Sequence, residues 1–250
     1  MLTNSLRSLV QRLLPLSTRR KIVRYTRWPP VGWARWGSLR RLRPISPNWG
    51  LERGRPIDRY YIERFLARQA NDIQGRVLEI GDNTYTRRFG GEQVTESVVL
   101  HVAEQKEHVT LIGSLTDPGS IPQASFDCLI VTQTLQAIFE VQTAVHTMYH
   151  SLKPGGVALV TVPGISKISR YDMDRWGYYW SFTTDSAKAL FTAAFPADQL
   201  QIETQGNVLA TIAFLHGLAI NELRPAELDY VDPDYQLLIT IRAVRPETDK

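Results

Sequence analysis

The residues best suited to chemistry lie close together in one stretch of the chain, residues 171–180. This stretch contains two acids, Asp172 and Asp174, together with Arg175 and five aromatic rings. A sugar suits such a set, because its apolar face stacks on aromatic rings while its hydroxyls hydrogen-bond to carboxylates. Either acid could also take a proton from an attacking hydroxyl as a general base. The alternative is a structural loop that packs its rings into the core.

The remaining reactive side chains narrow the chemistry. His101 follows an apolar run and is a third candidate base. His146 and His150 are four residues apart, but no third ligand stands at metal spacing, so we predict no metal site. The single cysteine, Cys128, lies inside an apolar run and is expected to pack rather than react. Neither a G-x-S-x-G turn nor a Walker loop occurs, which argues against a hydrolase and a nucleoside triphosphatase.

Short apolar runs separated by helical patterns must position these groups. Strands are predicted at residues 77–81, 96–102, 109–113, 126–131, 157–162, 200–204 and 236–243. Helices are predicted from an N-cap at Asp58 through Leu66, and at residues 141–152, 184–195 and 211–222. This alternation is typical of a doubly wound, mostly parallel α/β sheet with helices on both faces. Ligands bind in the loops at the carboxyl ends of such strands. Those loops begin at Gly81, Val102, Gly113, Thr132 and Pro163.

Gly81 ends the first predicted strand. A glycine has no Cβ, so its backbone can approach a ligand closely. The turn lacks the further glycines of a dinucleotide fingerprint and therefore does not predict a pyrophosphate site. Packing alone is the other reason for a glycine at this position.

Two further segments carry a family resemblance. Residues 125–127 (Ser-Phe-Asp) open the fourth strand, and residues 152–156 (Leu-Lys-Pro-Gly-Gly) precede the fifth. With Glu79 and Gly81 closing the first strand, residues 75–165 resemble the class I, Rossmann-like methyltransferases that use S-adenosyl-L-methionine. Residues 56–61 and 81–86 also resemble a bacterial branch whose members accompany glycosyltransferases. The resemblance implies a Rossmann-like fold and S-adenosyl-L-methionine as cofactor.

The resemblance also implies roles for individual residues. The first loop, the segment after the third strand and the end of the fourth strand would bind the cofactor. The residues concerned are Glu79, Gly81, Asp82, Asn83, Tyr85, His101, Ser114, Leu115, Gln133 and Thr134. The candidate catalytic residues are Asp172, Asp174 and His101.

This chain departs from the family pattern in its cofactor loops. Asn83 replaces the usual second glycine of the first loop and can still adopt the left-handed conformation at some cost. The acid that ends the second strand and binds the ribose hydroxyls in the family is absent, and His101 or Glu104 is the nearest substitute. Ser114 stands where many relatives carry an acid before the adenine. These changes put cofactor affinity in question more than the fold.

Positive charge is concentrated at the start of the chain. Residues 1–55 contain 13 Lys or Arg and one acid, so the other 195 residues carry a net charge of −8. We predict a basic N-terminal extension at residues 1–56 and a methyltransferase-like domain at residues 57–250. Leucines and arginines between Leu6 and Leu14 fit an amphipathic helix, and Trp28, Trp33, Trp36 and Trp49 lie in the same basic half. Such an arm suits a membrane surface, nucleic acid or packing on the body.

The composition limits the location and the partners. No run reaches the roughly 18–20 apolar residues of a spanning helix, and one cysteine is compatible with a reducing cytosol. We therefore predict a cytoplasmic enzyme, with residues 1–50 as a candidate contact to the inner membrane surface. The acidic body disfavours a nucleic acid at the active site.

The predicted reaction is O-methylation of a small-molecule, carbohydrate or glycolipid acceptor in polysaccharide biosynthesis. The alternative is a non-catalytic methyltransferase-like scaffold that docks a glycosyltransferase or the membrane. The altered cofactor loop motivates this alternative.

Overall fold

The apolar runs form one seven-stranded sheet. The computed structural model of the protein describes residues 15, 17–18, 28–102 and 109–248. The strands are β1 Gly75–Ile80, β2 Val94–His101, β3 Leu111–Ile112, β4 Phe126–Thr132, β5 Leu152–Pro163, β6 Leu200–Gln205 and β7 Leu238–Val244. Their order is β3-β2-β1-β4-β5-β7-β6. The first five run parallel, and β7 is antiparallel to both β5 and β6. The predicted Rossmann-like, mostly parallel α/β fold is confirmed.

Helices cover both faces of the sheet. They are α1 Ile57–Arg68, α2 Val141–Ser151, α3 Arg170–Met173, α4 Thr184–Phe191, α5 Val208–His216 and α6 Pro225–Asp229. Leu129 and Val131 of β4 pack into one core cluster together with α2 and α4. Cys128 and Ile130 of the same strand pack into the opposite cluster with α1 and α5. Alternate side chains of a strand point to opposite faces, so residues 128–131 of β4 are apolar on both sides of the sheet.

Several predicted boundaries were wrong. Pro56, not Asp58, is the N-cap of α1, and Asp58 lies in the first helical turn. The third strand is limited to Leu111–Ile112, and α4 ends at Phe191 rather than at residue 195. The strand β5 begins at Leu152, so residues 153–156 belong to the strand instead of a loop.

The helix expected at residues 211–222 was also misplaced. It runs from Val208 to His216, because Asn207 caps its start by accepting a hydrogen bond from the Ala210 N–H. Gly217 ends it in the left-handed conformation, with φ of 69°. Glycine is the residue that adopts this helix-terminating conformation most readily.

The Ser-Phe-Asp and Leu-Lys-Pro-Gly-Gly segments meet at the amino ends of the strands. The Asp127 carboxylate accepts hydrogen bonds from the Lys153 ammonium and the Arg76 N–H, both at 2.7 Å. A Cβ on Gly156 would come within 3.0 Å of the Lys153 and Phe126 carbonyl oxygens. These segments therefore hold β1, β4 and β5 together at the edge opposite the ligand-binding loops.

Residues 43–250 form one compact unit, and residues 1–42 belong to another. Within the larger unit, the Ile45 and Ser46 N–H groups donate to the His216 carbonyl oxygen. Pro56 pairs with Ala219 in an isolated bridge. The domain boundary at residue 56 stays a prediction. The amphipathic helix predicted around Leu6–Leu14 and the substitute acid Glu104 lie outside the described residues. None of the described helices has the length and apolar character needed to cross a membrane.

Candidate functional site

A cavity of about 840 Å³ opens at the carboxyl ends of the parallel strands. Its walls come from Gly81 after β1, His101 at the end of β2, the loop after β3 and the loop after β4. Part of the connection between β5 and α4 forms its remaining wall. This is the edge at which doubly wound sheets bind ligands, and the volume lies in the range of small-molecule sites.

The structure brings seven of the predicted site residues together around this cavity. They are Gly81, His101, Ser114, Leu115, Gln133, Thr134 and Asp172. Five others lie outside its lining: Glu79, Asp82, Asn83, Tyr85 and Asp174. The cofactor and catalytic assignments themselves stay predictions.

The backbone of Gly81 borders the cavity at the end of β1. Its φ is 86°, a conformation that favours glycine. A Cβ built on Gly81 would meet no other atom of the described residues within 4 Å, although the residue lines the cavity. The space beside its backbone is therefore available to a ligand.

Glu79 supports the loop after β1 from beneath. The side chain is buried, with the residue only 3% exposed. Its carboxylate accepts hydrogen bonds from the Thr86 N–H at 2.8 Å, the Thr86 hydroxyl at 2.7 Å and the Tyr85 N–H at 3.2 Å. Burial nevertheless dominates and raises the pKa of Glu79 to about 7, because the charged form loses its hydration.

The raised pKa makes Glu79 a source of pH-dependent stability. A carboxyl whose pKa is raised by folding stabilises the native state below its ordinary value of 4.5 and loses that contribution as the pH rises to about 7. The free energy of unfolding of the wild type, relative to Glu79→Gln, is therefore expected to fall by about 3 kcal/mol over this interval. Urea unfolding of both proteins at a series of pH values measures the difference. Glu92→Gln changes an exposed carboxyl and is the matched control; a wild-type profile in Glu79→Gln would contradict the prediction.

The other residues of the first loop are held by local contacts. The Asn83 amide donates to the Ser97 hydroxyl at 3.1 Å, and the Asp82 carboxylate accepts from the Thr84 N–H. Asn83 does not adopt the left-handed conformation, since only Trp49, Ala124 and Gln133 have positive φ among the described non-glycine residues. The Tyr85 hydroxyl pairs with the Arg59 guanidinium at 2.8 Å.

His101 and the loop after β3 form one end of the cavity. The His101 carbonyl oxygen accepts from the Gly113 N–H at 3.0 Å, which fixes the end of β2 to that of β3. The Ser114 hydroxyl lies 2.8 Å from the Thr116 hydroxyl, and the Ser114 N–H donates to Ser120. This end therefore presents hydroxyls and backbone groups beside the buried Leu115.

The turn after β4 contributes residues that sequence reasoning missed. Gln136 through Glu140 all line the cavity. Gln136 is 6% exposed, and its side-chain amide donates to the Gln133 backbone carbonyl oxygen at 2.7 Å. The side-chain oxygen of Gln136 has no hydrogen-bond partner among the described residues. Gln133 itself has a φ of 48°. Their position in the sequence could have identified them, because they fill the interval between the fourth strand and the helix that begins at residue 141.

Aromatic rings form the wall beside this turn. The Phe139 ring stacks on Trp180 with centroids 6.2 Å apart, and meets Tyr179 edge-to-face at 5.4 Å. The Trp180 indole N–H donates to the Ile138 carbonyl oxygen at 2.8 Å. Phe139 is 60% exposed although its neighbours hold it in place. We call Phe139, Tyr179 and Trp180 the aromatic wall.

The connection that carries Tyr179 and Trp180 is fixed where it leaves and rejoins the sheet. The Gly164 and Ile165 N–H groups donate to the carbonyl oxygens of Leu237 and Gln236. At the other end, the Thr184 N–H donates to the Gln236 side-chain oxygen at 2.8 Å. Within this connection Asp172 lines the cavity, whereas Asp174 is exposed and does not.

The described residues contain no group of three or more His, Cys, Asp or Glu side chains that could hold a metal ion. The prediction that the reaction needs no metal is not tested by this finding.

The sequence itself matches a known family over part of its length. Residues 83–160 match the family model of the methyltransferase domain. The match covers 78 of the 250 residues, fewer than half of the chain, and is a likeness to this family. No curated protein sequence matches the chain.

Solved structures agree with this assignment at the level of the fold. A methyltransferase from Archaeoglobus fulgidus, described as SAM-dependent, is 13% identical with a TM-score of 0.50, covering 75% of this chain and 94% of its own. A putative sarcosine dimethylglycine methyltransferase from Galdieria sulphuraria is also 13% identical with a TM-score of 0.50, covering 75% and 86%. At such identities the likeness shows the fold alone. Together with the family match over residues 83–160, this fold supports an enzyme of the methyltransferase type.

Proposed function

We propose that the methyltransferase domain transfers a methyl group from S-adenosyl-L-methionine to a hydroxyl oxygen of a carbohydrate or glycolipid. The observation that carries this proposal is the position of Asp172, which lines one cavity together with Phe139 and Tyr179 of the aromatic wall. The resemblance of the sequence to a branch that accompanies glycosyltransferases supports the same acceptor class, and with it a role in polysaccharide biosynthesis.

The residues around the cavity fit this cofactor. The open backbone at Gly81 leaves room for a ligand against the end of β1. His101 and the Ser114 hydroxyl supply polar groups suited to a nucleoside, and Leu115 supplies an apolar surface. S-adenosyl-L-methionine provides a methyl group activated by its positively charged sulfur. The departures from the family pattern leave these features in place.

The protein side chains would prepare the acceptor for this transfer. The hydroxyl oxygen of the acceptor forms the new bond to the methyl carbon while the carbon–sulfur bond breaks, and the hydroxyl proton must leave. Asp172 is the carboxylate of residues 171–180 that faces the cavity and can take that proton. Holding the acceptor in line with the methyl group removes much of the entropic cost of the reaction.

The aromatic wall suits the apolar face of a sugar. The Phe139 ring is exposed, and its contacts with Tyr179 and Trp180 hold it in place. A sugar ring of the acceptor can therefore cover it without reordering the protein. Glu140, also in the lining, supplies a second carboxylate for hydroxyl groups. These apolar and acidic contacts together suit an acceptor that carries several hydroxyl groups.

The test is transfer of radiolabelled methyl from S-adenosyl-L-methionine to a panel of glycans and glycolipids. Phe139→Ala is expected to raise KM for the methylated acceptor about tenfold, since the aromatic contact is lost, with an unchanged affinity for S-adenosylhomocysteine. Tyr230→Ala removes an exposed ring that does not line the cavity and is the matched control.

Two negative outcomes have different meanings. Cofactor binding without methylation of any glycan would overturn the carbohydrate acceptor. A folded protein that binds neither S-adenosyl-L-methionine nor its demethylated product would instead favour the non-catalytic scaffold.

We also propose a cytoplasmic enzyme whose basic N-terminal extension contacts an anionic membrane surface. Among its described residues, Trp28, Trp33 and Trp36 are all more than half exposed, and Arg35, Arg40 and Arg41 lie close to them in sequence. Trp and basic residues together suit a lipid interface. Co-sedimentation with anionic vesicles, compared between the full chain and a chain lacking residues 1–42, tests this contact.

A further inference from the structure

We propose that Trp176 is a cofactor-binding residue that forms the outer wall of the adenosyl site opposite His101. The proposal rests on S-adenosyl-L-methionine as the cofactor and adds a residue from the connection after β5 to its binding site. Sequence reasoning placed Trp176 among acceptor-binding residues, whereas the contacts of its ring place it at the other end of the cavity.

The ring of Trp176 lies against the end of β2. Its centroid is 5.9 Å from that of His101, with an angle of 86° between the two planes. Both residues line the same cavity. In the sheet, β1 and β4 separate β2 from β5. The connection that leaves β5 must therefore cross the carboxyl ends of β4 and β1 to bring Trp176 to His101.

The end of β2 is the place where a nucleoside is expected. In doubly wound sheets that bind dinucleotides, an Asp or Glu about 20 positions after the glycine-rich first turn binds the ribose hydroxyls. His101 stands 20 positions after Gly81. The loop after β3, with Ser114 and Leu115, completes the wall on the same side. A nucleoside at this position would lie next to the Trp176 ring.

The backbone around Trp176 holds the ring in position. The Trp176 N–H donates to the Asp172 carbonyl oxygen at 2.7 Å, and the Gly177 N–H donates to the Met173 carbonyl oxygen at 3.2 Å. Gly177 has a φ of 93°, and a Cβ there would come within 2.3 Å of the Tyr179 ring. The turn therefore requires glycine at position 177. It orients the Trp176 and Tyr179 side chains in different directions.

Trp176 also has free surface to offer a ligand. It is 44% exposed despite its contact with His101. Covering this surface with an adenosyl group would remove apolar area from water, and stacking of a base on an aromatic side chain contributes substantially to nucleotide binding. One connection would thus contact the methyl donor through Trp176 and the acceptor through the aromatic wall.

The experiment compares two ligands by isothermal titration. S-adenosylhomocysteine carries the complete adenosyl and amino-acid parts, whereas methylthioadenosine lacks the amino-acid part. Trp176→Ala is expected to weaken both by the same factor, about tenfold, because the lost contact lies in the part they share. Tyr171→Ala removes a 65% exposed ring of the same connection that does not line the cavity, and it is expected to bind both ligands as the wild type does.

A conservative variant keeps the test valid if Trp176→Ala does not fold. Trp176→Phe retains an aromatic ring and is expected to keep affinity within about threefold, while losing the change in tryptophan fluorescence that S-adenosylhomocysteine causes in the wild type. Wild-type affinity in Trp176→Ala, loss of S-adenosylhomocysteine alone, or an unaltered fluorescence change in Trp176→Phe would overturn the proposal. A wild-type protein that binds neither ligand would overturn the proposed cofactor as well.

Discussion

Asp172→Asn is expected to lower kcat for methyl transfer by about a hundredfold or more, the usual contribution of a general base. Asparagine keeps the shape of the side chain but cannot take a proton from the acceptor hydroxyl. The affinity for S-adenosylhomocysteine should stay within about twofold, because no proton is transferred when this ligand binds. Steady-state kinetics with the methylated acceptor and titration with S-adenosylhomocysteine separate the two effects.

Asp174→Asn is the matched control for this prediction. It makes the same chemical change two residues away, at an exposed side chain outside the cavity lining. Its kcat is expected to remain within about twofold of the wild type, as is usual for a surface substitution. Equal losses in the two variants would indicate a general effect of charge, and full activity in Asp172→Asn would leave His101 as the remaining candidate base.

Gly81→Ala is expected to weaken binding of S-adenosylhomocysteine by about ten- to a hundredfold, the cost of forcing an extra methyl group into a filled site. The new methyl would point towards the cavity, and no other atom of the described residues lies within 4 Å of it. It would therefore meet the ligand and not the protein. Isothermal titration measures the loss.

Gly91→Ala separates this steric effect from backbone strain. Gly91 also has a positive φ, 53°, and an added Cβ there likewise meets no atom within 4 Å. It does not line the cavity. Both variants should lose about 1–3 kcal/mol of stability through strain, measurable by urea unfolding. Only Gly81→Ala should lose the ligand, and similar binding losses in both would attribute the effect to strain.

The fold was predictable because its strands are strongly marked. The buried centres of β4 and β5 are apolar runs. The rule that ligands bind at the carboxyl ends of parallel strands located the cavity. Gly81 and His101 were found in this way. The boundaries of α5 were not, because Asn207 and Gly217 define them through local hydrogen bonds and a left-handed backbone rather than through apolar periodicity.

The site was predictable only in part. Gln136 and Phe139 carry no charge and belong to no motif, so their role depends on a turn whose conformation only the folded chain shows. The sequence does not distinguish Asp172 from Asp174 as a candidate base. In the structure, the backbone between them places Asp172 at the cavity and leaves Asp174 outside it. Asn83 stands at the position of a family glycine and could have adopted the left-handed conformation. In the structure its side-chain amide instead donates a hydrogen bond to the Ser97 hydroxyl.

The segment that matches the methyltransferase family ends at residue 160, before the connection that carries Asp172, Trp176 and the aromatic wall. Both ends of that connection are bonded to Gln236 or its neighbour Leu237. A loop whose ends are already held together can change in length at low entropic cost, since doubling its length costs only about 0.6 kcal/mol. Changes in length or sequence between Ser166 and Trp180, away from the buried Phe182 and the helix-capping Thr183, should therefore be tolerated by the sheet. Under the proposed function, a new acceptor specificity would evolve in this loop while the methyl donor stays the same.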